Sequence, residues 1–212
     1  MERGQLSQPR GRTPLPPSFY DRETELVARD LLGMTLEHRI AGQTLRGRIV
    51  ETEAYPGEHD PACHAAIGRT SRNDPLYGPP GTAYVYFVYG MHWCVNAVTR
   101  AVGLPSAVLI RAVEPLAGVE RMRARRPRAG SDSNLCDGPA KLCQAFAIDS
   151  RQNRAALWRG PLRILAGEPV PDRFVRQTPR IGISQARSWK LRWILLTGTS
   201  DISESARSRY RS

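Results

Sequence analysis

Hydrophobic and polar positions alternate along several stretches of the chain with the period of two that is typical of β-strands. Two of these stretches, residues 34–40 and 44–55, are joined by residues 41–43 (Ala-Gly-Gln), and this arrangement predicts a β-hairpin. Aromatic and β-branched residues predict a further strand over residues 82–90. An apolar run at residues 107–113 predicts a buried strand.

Helices are predicted between the strands. Residues 21–32 carry an apolar stripe, and Asp21 is a suitable N-cap for it. Helices are also predicted from Pro115 to about residue 126 and over residues 138–148. In the last of these, Pro139 suits the first helical position.

The remaining segments complete the predicted fold. Two short strands are predicted over residues 160–167 and 180–185, and residues 56–81 form a long segment of loop or short helix. Because the first two strands form a hairpin, a parallel doubly wound sheet is not expected. The pattern favours a single domain of the mixed α/β class, with a mostly antiparallel β-sheet and surrounding helices.

Charge is the most informative feature of the composition. The 212 residues carry a formal net charge of +11, and all but two of the 31 basic residues are arginine. A GC-rich genome accounts for arginine in place of lysine, but it does not account for the excess over acidic residues. Such an excess fits a polyanionic partner such as nucleic acid. Residues 1–17 are predicted to be a disordered basic arm and residues 201–212 a frayed basic tail, on either side of a domain at residues 18–200.

Membrane and secretory classes are not favoured. No apolar run approaches the roughly 18–20 residues that cross a bilayer, and the N-terminus has no apolar leader. We therefore expect a soluble, cytoplasmic protein. The four cysteines are sparse for a disulfide scaffold and form no CxxC motif, so we expect reduced, mostly buried thiols.

The strand at residues 44–55 ends in a pair of carboxylates. Alternation places Glu51, Glu53 and Tyr55 on one face. A glutamate held at the end of a strand beside a cleft suits a general base whose pKa is raised by partial desolvation, and Glu53 is the candidate. The alternative is that both glutamates lie on a solvated face of the strand.

Possible metal ligands follow in the loop, at Glu58, His59, Asp60, Cys63 and His64. The two histidines are five positions apart, whereas the helical zinc motif needs histidines four positions apart. A metal hydrolase whose site is built by the loop from His59, Cys63 and His64 stays open as an alternative.

Tyrosines are concentrated in the strand at residues 82–90. Tyr84 and Tyr86 share one face, and Tyr89 precedes Gly90, where the strand can turn. Buried tyrosine hydroxyls need partners, and flat rings with polar tips suit stacking on nucleic-acid bases. The alternative is an aromatic strand of the core.

Arg111 is a charge inside an apolar strand and must find a partner. As a structural residue it would pair with a carboxylate such as Glu51 or Glu114. As a functional residue it would reach into a cleft beside Glu53. The arginine-rich run at residues 120–128 is either a helix that faces phosphates or a solvated one.

The order of these motifs resembles that of the alkyladenine DNA glycosylases, also called 3-methyladenine DNA glycosylases of the methylpurine type. The resemblance runs from about Ser18 to Leu196. It rests on ARDLLG, ETEAY followed by His64, SRND, PGTAYVYFVYGMHWCVN, VLIRAVEPL, GPAKLCQAF and RIGIS. The resemblance implies a compact fold with a curved sheet, related to the C-terminal domain of methionyl-tRNA formyltransferase, and a reaction without cofactor or metal.

The resemblance also implies an enzyme that flips a damaged purine out of duplex DNA and cuts its N-glycosidic bond. Glu53 would activate the attacking water, and Arg111 would help to hold that water. Where the family usually has tyrosine after its Gly-Met pair, this chain has His92. By the same resemblance, Tyr55, His64 and Tyr86 would bracket the flipped base, and Tyr89 would act as a wedge in the duplex. Met91 and His92 would contact the minor groove. Asn96 would exclude the guanine amino group.

The lysine content of the chain bears on the nucleophile, and the resemblance bears on the partners. A lyase would need an amine for a Schiff base, and the only lysines are Lys141 and Lys190, so water with Glu53 is the simpler nucleophile and a monofunctional enzyme is expected. Lys141 is either a phosphate contact at a helix start or an exposed charge. The implied partner is double-stranded DNA with 3-methyladenine, 7-methylguanine, hypoxanthine or ethenoadenine, bound by a nucleoid-associated monomer. The alternative is a non-catalytic nucleic-acid-binding module that uses the same aromatic and arginine residues.

Overall fold

The chain folds around one antiparallel β-sheet. The computed structural model describes residues 13–196. Its strands, in chain order, are β1 (Thr35–Ile40), β2 (Gln43–Tyr55), β3 (Ala83–Val88), β4 (His92–Val98), β5 (Ala107–Ala117), β6 (Leu162–Leu165), β7 (Val175–Thr178) and β8 (Arg192–Leu195). The sheet has the order β3-β4-β5-β2-β1-β6, while β8 pairs with β2 and with β7. Every strand pair is antiparallel, which confirms the predicted sheet type.

Helices are few and short in the described part of the chain. The α-helices are α1 (Pro17–Tyr20), α2 (Thr24–Asp30), α3 (Val119–Arg125) and α4 (Pro139–Phe146). Single 3-10 turns occur at His64–Ile67, Asp74–Tyr77, Asp132–Asn134, Ser150–Gln152 and Asp172–Phe174. The structure thus confirms a single mixed α/β domain, and the relation to the formyltransferase domain stays a prediction. Within residues 13–196 no helix combines the length and the apolar character that a membrane crossing needs.

The core lies between the sheet and two of the helices. Helix α2 packs on β2 and β5, and α4 packs on β4 and β5. Val27, Ile110 and Phe146 are fully buried in this main core. A second, smaller apolar cluster contains Tyr84 and lies beside the loop that follows β2. All four cysteines are free and buried, as expected.

Two hairpin turns follow the sequence prediction. The β1–β2 turn uses Ala41 at φ 50° and Gly42 at φ 72°, the left-handed conformation that such turns require. The β3–β4 turn uses Tyr89 at φ 53° and Gly90 at φ 67°. This second turn leaves the side chains of its tip in solvent, where Tyr89 is 79% exposed.

Several predicted boundaries are wrong. Helix α2 begins at Thr24 without a side-chain cap, whereas Asp21 ends the preceding turn of helix. The helix predicted from Pro115 starts later, at Val119, because residues 115–117 extend β5 and pair with β2. Residues 180–185 form no strand, and β7 and β8 flank them instead.

The prediction of a disordered arm over residues 1–17 is wrong for the last residues of that segment, which the structure describes. The amide of Leu15 donates to the carbonyl oxygen of Ile164 at 2.9 Å, and the amide of Ala166 donates to the carbonyl oxygen of Thr13 at 2.8 Å. Leu15 is buried in the main core. Residues 13–15 are therefore packed against β6 and the residue after it, because an apolar side chain in this proline-rich segment finds a place in the core. The rest of the arm and the tail at 201–212 lie outside the described residues.

Candidate active site

A cleft of about 550 Å³ opens beside the β3–β4 hairpin. Its walls come from the loop after β2, from β3, β4 and β5, from the first residues of α4 and from residues 181–184. Most of the residues that the sequence singled out therefore meet in one place. The predicted site residues that line the cleft are Tyr55, His64, Tyr86, Tyr89, His92, Asn96 and Arg111.

Glu53 lies directly behind this wall and has no exposed surface. Its Oε2 accepts hydrogen bonds from the Tyr55 hydroxyl at 2.9 Å and from Arg111 Nη1 at 3.1 Å. Its Oε1 accepts from the backbone amide of Ile181 at 2.8 Å. A carboxylate offers about four acceptor positions, so these three bonds leave one for a further donor. All three donors belong to residues that line the cleft.

Arg111 contacts both of the carboxylates between which the sequence left its role open. Besides Glu53, it binds Glu51, with Nε 2.8 Å from Oε1. Arg192 on β8 reaches the same oxygen of Glu51 at 3.2 Å. Glu51 and Glu53 are both buried, so the alternative of a solvated glutamate face is wrong. The result is an alternating row of charges in the order Arg192, Glu51, Arg111 and Glu53.

Burial and charge act in opposite directions on Glu53. Burial raises the pKa of its carboxyl above the ordinary value, and Arg111, the Ile181 amide and the Tyr55 hydroxyl oppose that rise without cancelling it. The same pairing raises the pKa of Arg111, because the nearby carboxylates outweigh the effect of burial. A carboxylate with a raised pKa, kept beside a fixed cation, has the properties of a general base.

The aromatic residues form one wall of the cleft. The rings of Tyr84 and Tyr86 stack at 5.2 Å between centroids, and His64 meets Tyr86 edge to face at 4.5 Å. The hydroxyl of Tyr84 lies 2.8 Å from His64 Nδ1. Burial, aided by the charge of Arg72, lowers the pKa of His64, so its neutral form is favoured. Tyr84 is buried as the alternative of an aromatic core strand expects, but both Tyr84 and Tyr86 line the cleft.

Asn96 and the hairpin tip occupy different depths of the cleft. Asn96 is buried, and its Nδ2 donates to the carbonyl oxygen of Tyr84 at 3.0 Å, which fixes its amide in the cleft wall. Tyr89 and Met91, at the tip, are 79% and 67% exposed, and His92 is also exposed. These three side chains therefore form a projecting surface at the mouth of the cleft.

The basic residues outside the cleft are mostly bound within the protein. Lys141 Nζ lies 2.8 Å from Asp137 Oδ1, although Pro139 and Ala140 of the same helix line the cleft. In the run at residues 120–128, Arg123 binds both carboxylate oxygens of Asp132. Arg125 and Arg126 of this run donate to the carbonyl oxygens of Ala145 and Leu135.

The loop does not assemble the metal site considered above. Among residues 13–196 no three His, Cys, Asp or Glu side chains come together as ligands of one ion would. His64 is bound to Tyr84, and Cys63 accepts a hydrogen bond from the amide of Ala65. Asp60 is engaged by Arg180.

Sequence reasoning missed three parts of the site. The Ile181 amide is a backbone group and has no side-chain signature. Arg180, fully buried against Asp60, lies in a segment that was expected to be a strand. Arg72 donates to the carbonyl oxygen of Phe87 at 2.8 Å and lines the cleft, and only its position in the SRND motif marked it.

Comparison with known proteins gives a consistent picture. The family model for methylpurine-DNA glycosylase matches residues 18–198. A protein of Myxococcus xanthus is 47% identical over 175 residues, which cover 82% of this chain and 84% of its own. A protein of Carboxydothermus hydrogenoformans is 48% identical over 182 residues (85% and 94%), and one of Methanocella arvoryzae is 47% identical over 178 residues (84% and 88%). Each of the three carries the name "Putative 3-methyladenine DNA glycosylase". The chain therefore belongs to the methylpurine-DNA glycosylase family and is a hydrolase of N-glycosyl bonds.

Proposed function

We propose that this glycosylase flips alkylated or deaminated purines out of duplex DNA and hydrolyses their N-glycosidic bond with a water molecule activated by Glu53, leaving an abasic site. The observation that carries the proposal is the buried Glu53 carboxylate, held by Arg111, Tyr55 and the Ile181 amide at the wall of an aromatic cleft. The substrate class includes 3-methyladenine, 7-methylguanine, hypoxanthine and ethenoadenine. The names of the relatives support 3-methyladenine, and the name of the family model supports methylated purines.

Base flipping fits the balance of interaction energies. Extrusion of a nucleotide costs a few kcal/mol, and stacking on aromatic rings returns roughly 1–3 kcal/mol per base. Tyr55, His64 and Tyr86 bracket the flipped base, and Tyr89 fills the gap in the duplex. The exposure of Tyr89 supports this role, because its ring is not used elsewhere in the free protein.

Hydrolysis follows from the charges around Glu53. Departure of the purine leaves an oxocarbenium-like sugar, and a carboxylate can stabilise that charge and accept the proton of the attacking water, as in glycosidases. Tyr55 and Arg111 both bind Oε2 from the cleft side, so a water held by Arg111 reaches the carboxylate from there. A purine alkylated at N3 or N7 is cationic, gains about 0.5–2 kcal/mol over aromatic faces and becomes neutral as it leaves.

Selectivity and duplex contact involve the remaining residues. The fixed amide of Asn96 opposes the 2-amino group of guanine. Met91 and His92 lie at the exposed tip and contact the minor groove. Lys141 contacts a phosphate, for which it must exchange its present bond to Asp137.

The nucleophile is water and the enzyme is monofunctional. A Schiff-base mechanism needs an amine at the sugar. Of the two lysines, Lys141 is bound to Asp137, and neither Lys141 nor Lys190 lines the cleft. The protein acts on double-stranded DNA as a monomer, without cofactor or metal.

The test is Glu53→Gln on a duplex that contains a single hypoxanthine or 3-methyladenine. The variant keeps the shape of the side chain and loses the base, so excision should be abolished while the damaged duplex is still bound. Glu114→Gln is a matched control, since Glu114 is a partly exposed glutamate on β5 that pairs with Arg48 outside the cleft, and it should excise normally. Excision by the Glu53 variant would refute the role given to this residue.

A further inference from the structure

A buried ion pair lies behind the wall of the cleft. The guanidinium of Arg180 binds both carboxylate oxygens of Asp60, with Nη2 2.8 Å from Oδ1, and neither side chain has exposed surface. A buried ion pair is a weak source of stability, because desolvation of the two charges offsets their attraction. Stability alone therefore does not account for its position.

Arg180 joins the end of β2 to the segment that follows β7. Its Nη1 also donates to the carbonyl oxygen of Ala54 at 3.0 Å, and Ala54 lies between Glu53 and Tyr55. The carbon of its guanidinium lies 4.6 Å from the centroid of the Tyr55 ring. One side chain thus holds both the backbone beside Glu53 and a ring of the cleft wall.

Asp60 fixes the turn that leads to His64. Its Oδ1 accepts a hydrogen bond from the amide of Ala62 at 3.0 Å, and its carbonyl oxygen accepts from the amide of Cys63 at 2.9 Å. Because Arg180 binds the same carboxylate, the turn, the strand and the segment after β7 are held as one unit.

The residue after Arg180 supplies one of the three donors to Glu53. The Ile181 amide donates to Oε1 at 2.8 Å, and its position follows from the fixed residue before it. We propose that Asp60 and Arg180 are positioning residues of the reaction, which hold the Ile181 amide against Glu53 and the Tyr55 ring against the flipped base. This inference rests on the proposed function of Glu53.

The expected consequence is a change in the ionisation of Glu53. The Ile181 amide and the Arg111 cation favour the ionised carboxylate. A displaced amide would raise the pKa of Glu53, so the acid limb of the pH–rate profile would move to higher pH. The groups that face Glu53 from the packed elements are Glu51 and Tyr55 on β2, Tyr86 on β3, Cys94 on β4, Arg111 on β5, Arg192 on β8, and Arg180 with the Ile181 amide after β7.

The experiment compares two variants with a matched control. Asp60→Asn combined with Arg180→Met removes both charges, leaves no unpaired buried ion and keeps an oxygen for the Ala62 amide, so it should fold. Arg180→Lys keeps the charge but loses the two-point contact. The control is Arg163→Met, which removes an arginine bound to the fully buried Glu37 at the β6 edge of the sheet, opposite to β3.

Single-turnover excision of hypoxanthine is measured across pH, together with thermal unfolding. Both site variants should shift the acid limb of the pH–rate profile to higher pH by about one pH unit, which lowers the excision rate on the acid side about tenfold. Both should also raise the DNA concentration at which excision is half-saturated. A change in stability alone would leave the limb in place, as expected for Arg163→Met. Folded site variants with the wild-type limb and rate would overturn the inference.

Glu53→Gln is assayed in parallel to separate the two proposals. If it is inactive and the Asp60 and Arg180 variants match the control, only the positioning role fails. If it still excises the base, the proposed function itself fails, whatever the other variants do.

Discussion

Tyr89→Ala tests base flipping with little effect on folding. The side chain is 79% exposed at the tip of the β3–β4 hairpin, so the core does not depend on it. The free energy of unfolding should therefore change by no more than about 0.5 kcal/mol. Any loss of function in this variant reports on DNA and not on the stability of the protein.

The size of the effect follows from the exposed area. An aromatic side chain buries about 150–250 Å² when fully enclosed, so on the order of 120–200 Å² of Tyr89 is available to DNA. At about 25 cal/mol per Å², complete burial between base pairs gives roughly 3–5 kcal/mol as an upper limit. Ordering of the ring reduces this to the roughly 1–3 kcal/mol that alanine substitution typically removes per stacked base. We expect the flipping equilibrium constant to fall about 10- to 100-fold.

The assay follows ethenoadenine fluorescence in a duplex, since this base becomes brighter when it leaves the stack. Binding to undamaged duplex is titrated at several salt concentrations to measure the nonspecific component. Phe174→Ala is the control, since Phe174 is an aromatic residue with 41% exposure that does not line the cleft. Equal losses of damaged and undamaged binding by Tyr89→Ala would refute a wedge role.

Three further predictions concern the remaining charged and polar groups. Arg111→Gln should raise the pKa of Glu53 further, because a cation 3.1 Å from its carboxylate is removed, so excision at pH 6 should fall more than at pH 9; a pH–rate profile of unchanged shape would contradict this. The Asn96→Ser variant should release guanine from alkylated and undamaged duplexes at a rate that chromatography of the free bases can measure. If this variant released no guanine, steric exclusion by the Asn96 amide would be contradicted. Arg123→Gln should leave the salt dependence of DNA binding unchanged, because Asp132 already binds this guanidinium; a slope reduced by about 0.9 would reveal a phosphate contact.

Local signals in the sequence were enough for parts of the fold. The Ala-Gly pair at residues 41–42 and the Tyr-Gly pair at residues 89–90 predicted turns, because few residues other than glycine adopt a positive φ without strain. Pro139 predicted the first residue of α4 for a different reason, because its ring fixes φ at a helical value and its missing N–H is not needed at that position. The alternation of Glu51 and Glu53 on one face of β2 is confirmed by Arg111, which binds both.

Contacts between distant segments could not be predicted in this way. Asp60 and Arg180 are 120 positions apart, and no pattern in the sequence around either residue predicts that they form a pair. Any residue can donate a backbone amide, so the contact of Ile181 with Glu53 has no pattern in the sequence. Pro115 was expected to begin a helix, but pairing with Gly47 on β2 overrides that local preference.

The setting of Glu53 has a consequence for how such a protein samples DNA. Its carboxylate already accepts three hydrogen bonds in the protein without nucleic acid. The free-energy cost of ordering the groups around Glu53 therefore arises during folding and not when DNA binds. Under the proposed function, a duplex that is being scanned meets a carboxylate that Tyr55, Arg111 and the Ile181 amide already hold in place. Under the same proposal, discrimination between nucleotides depends on how readily each one leaves the helix and on how well its shape and charge match a cleft that exists before binding.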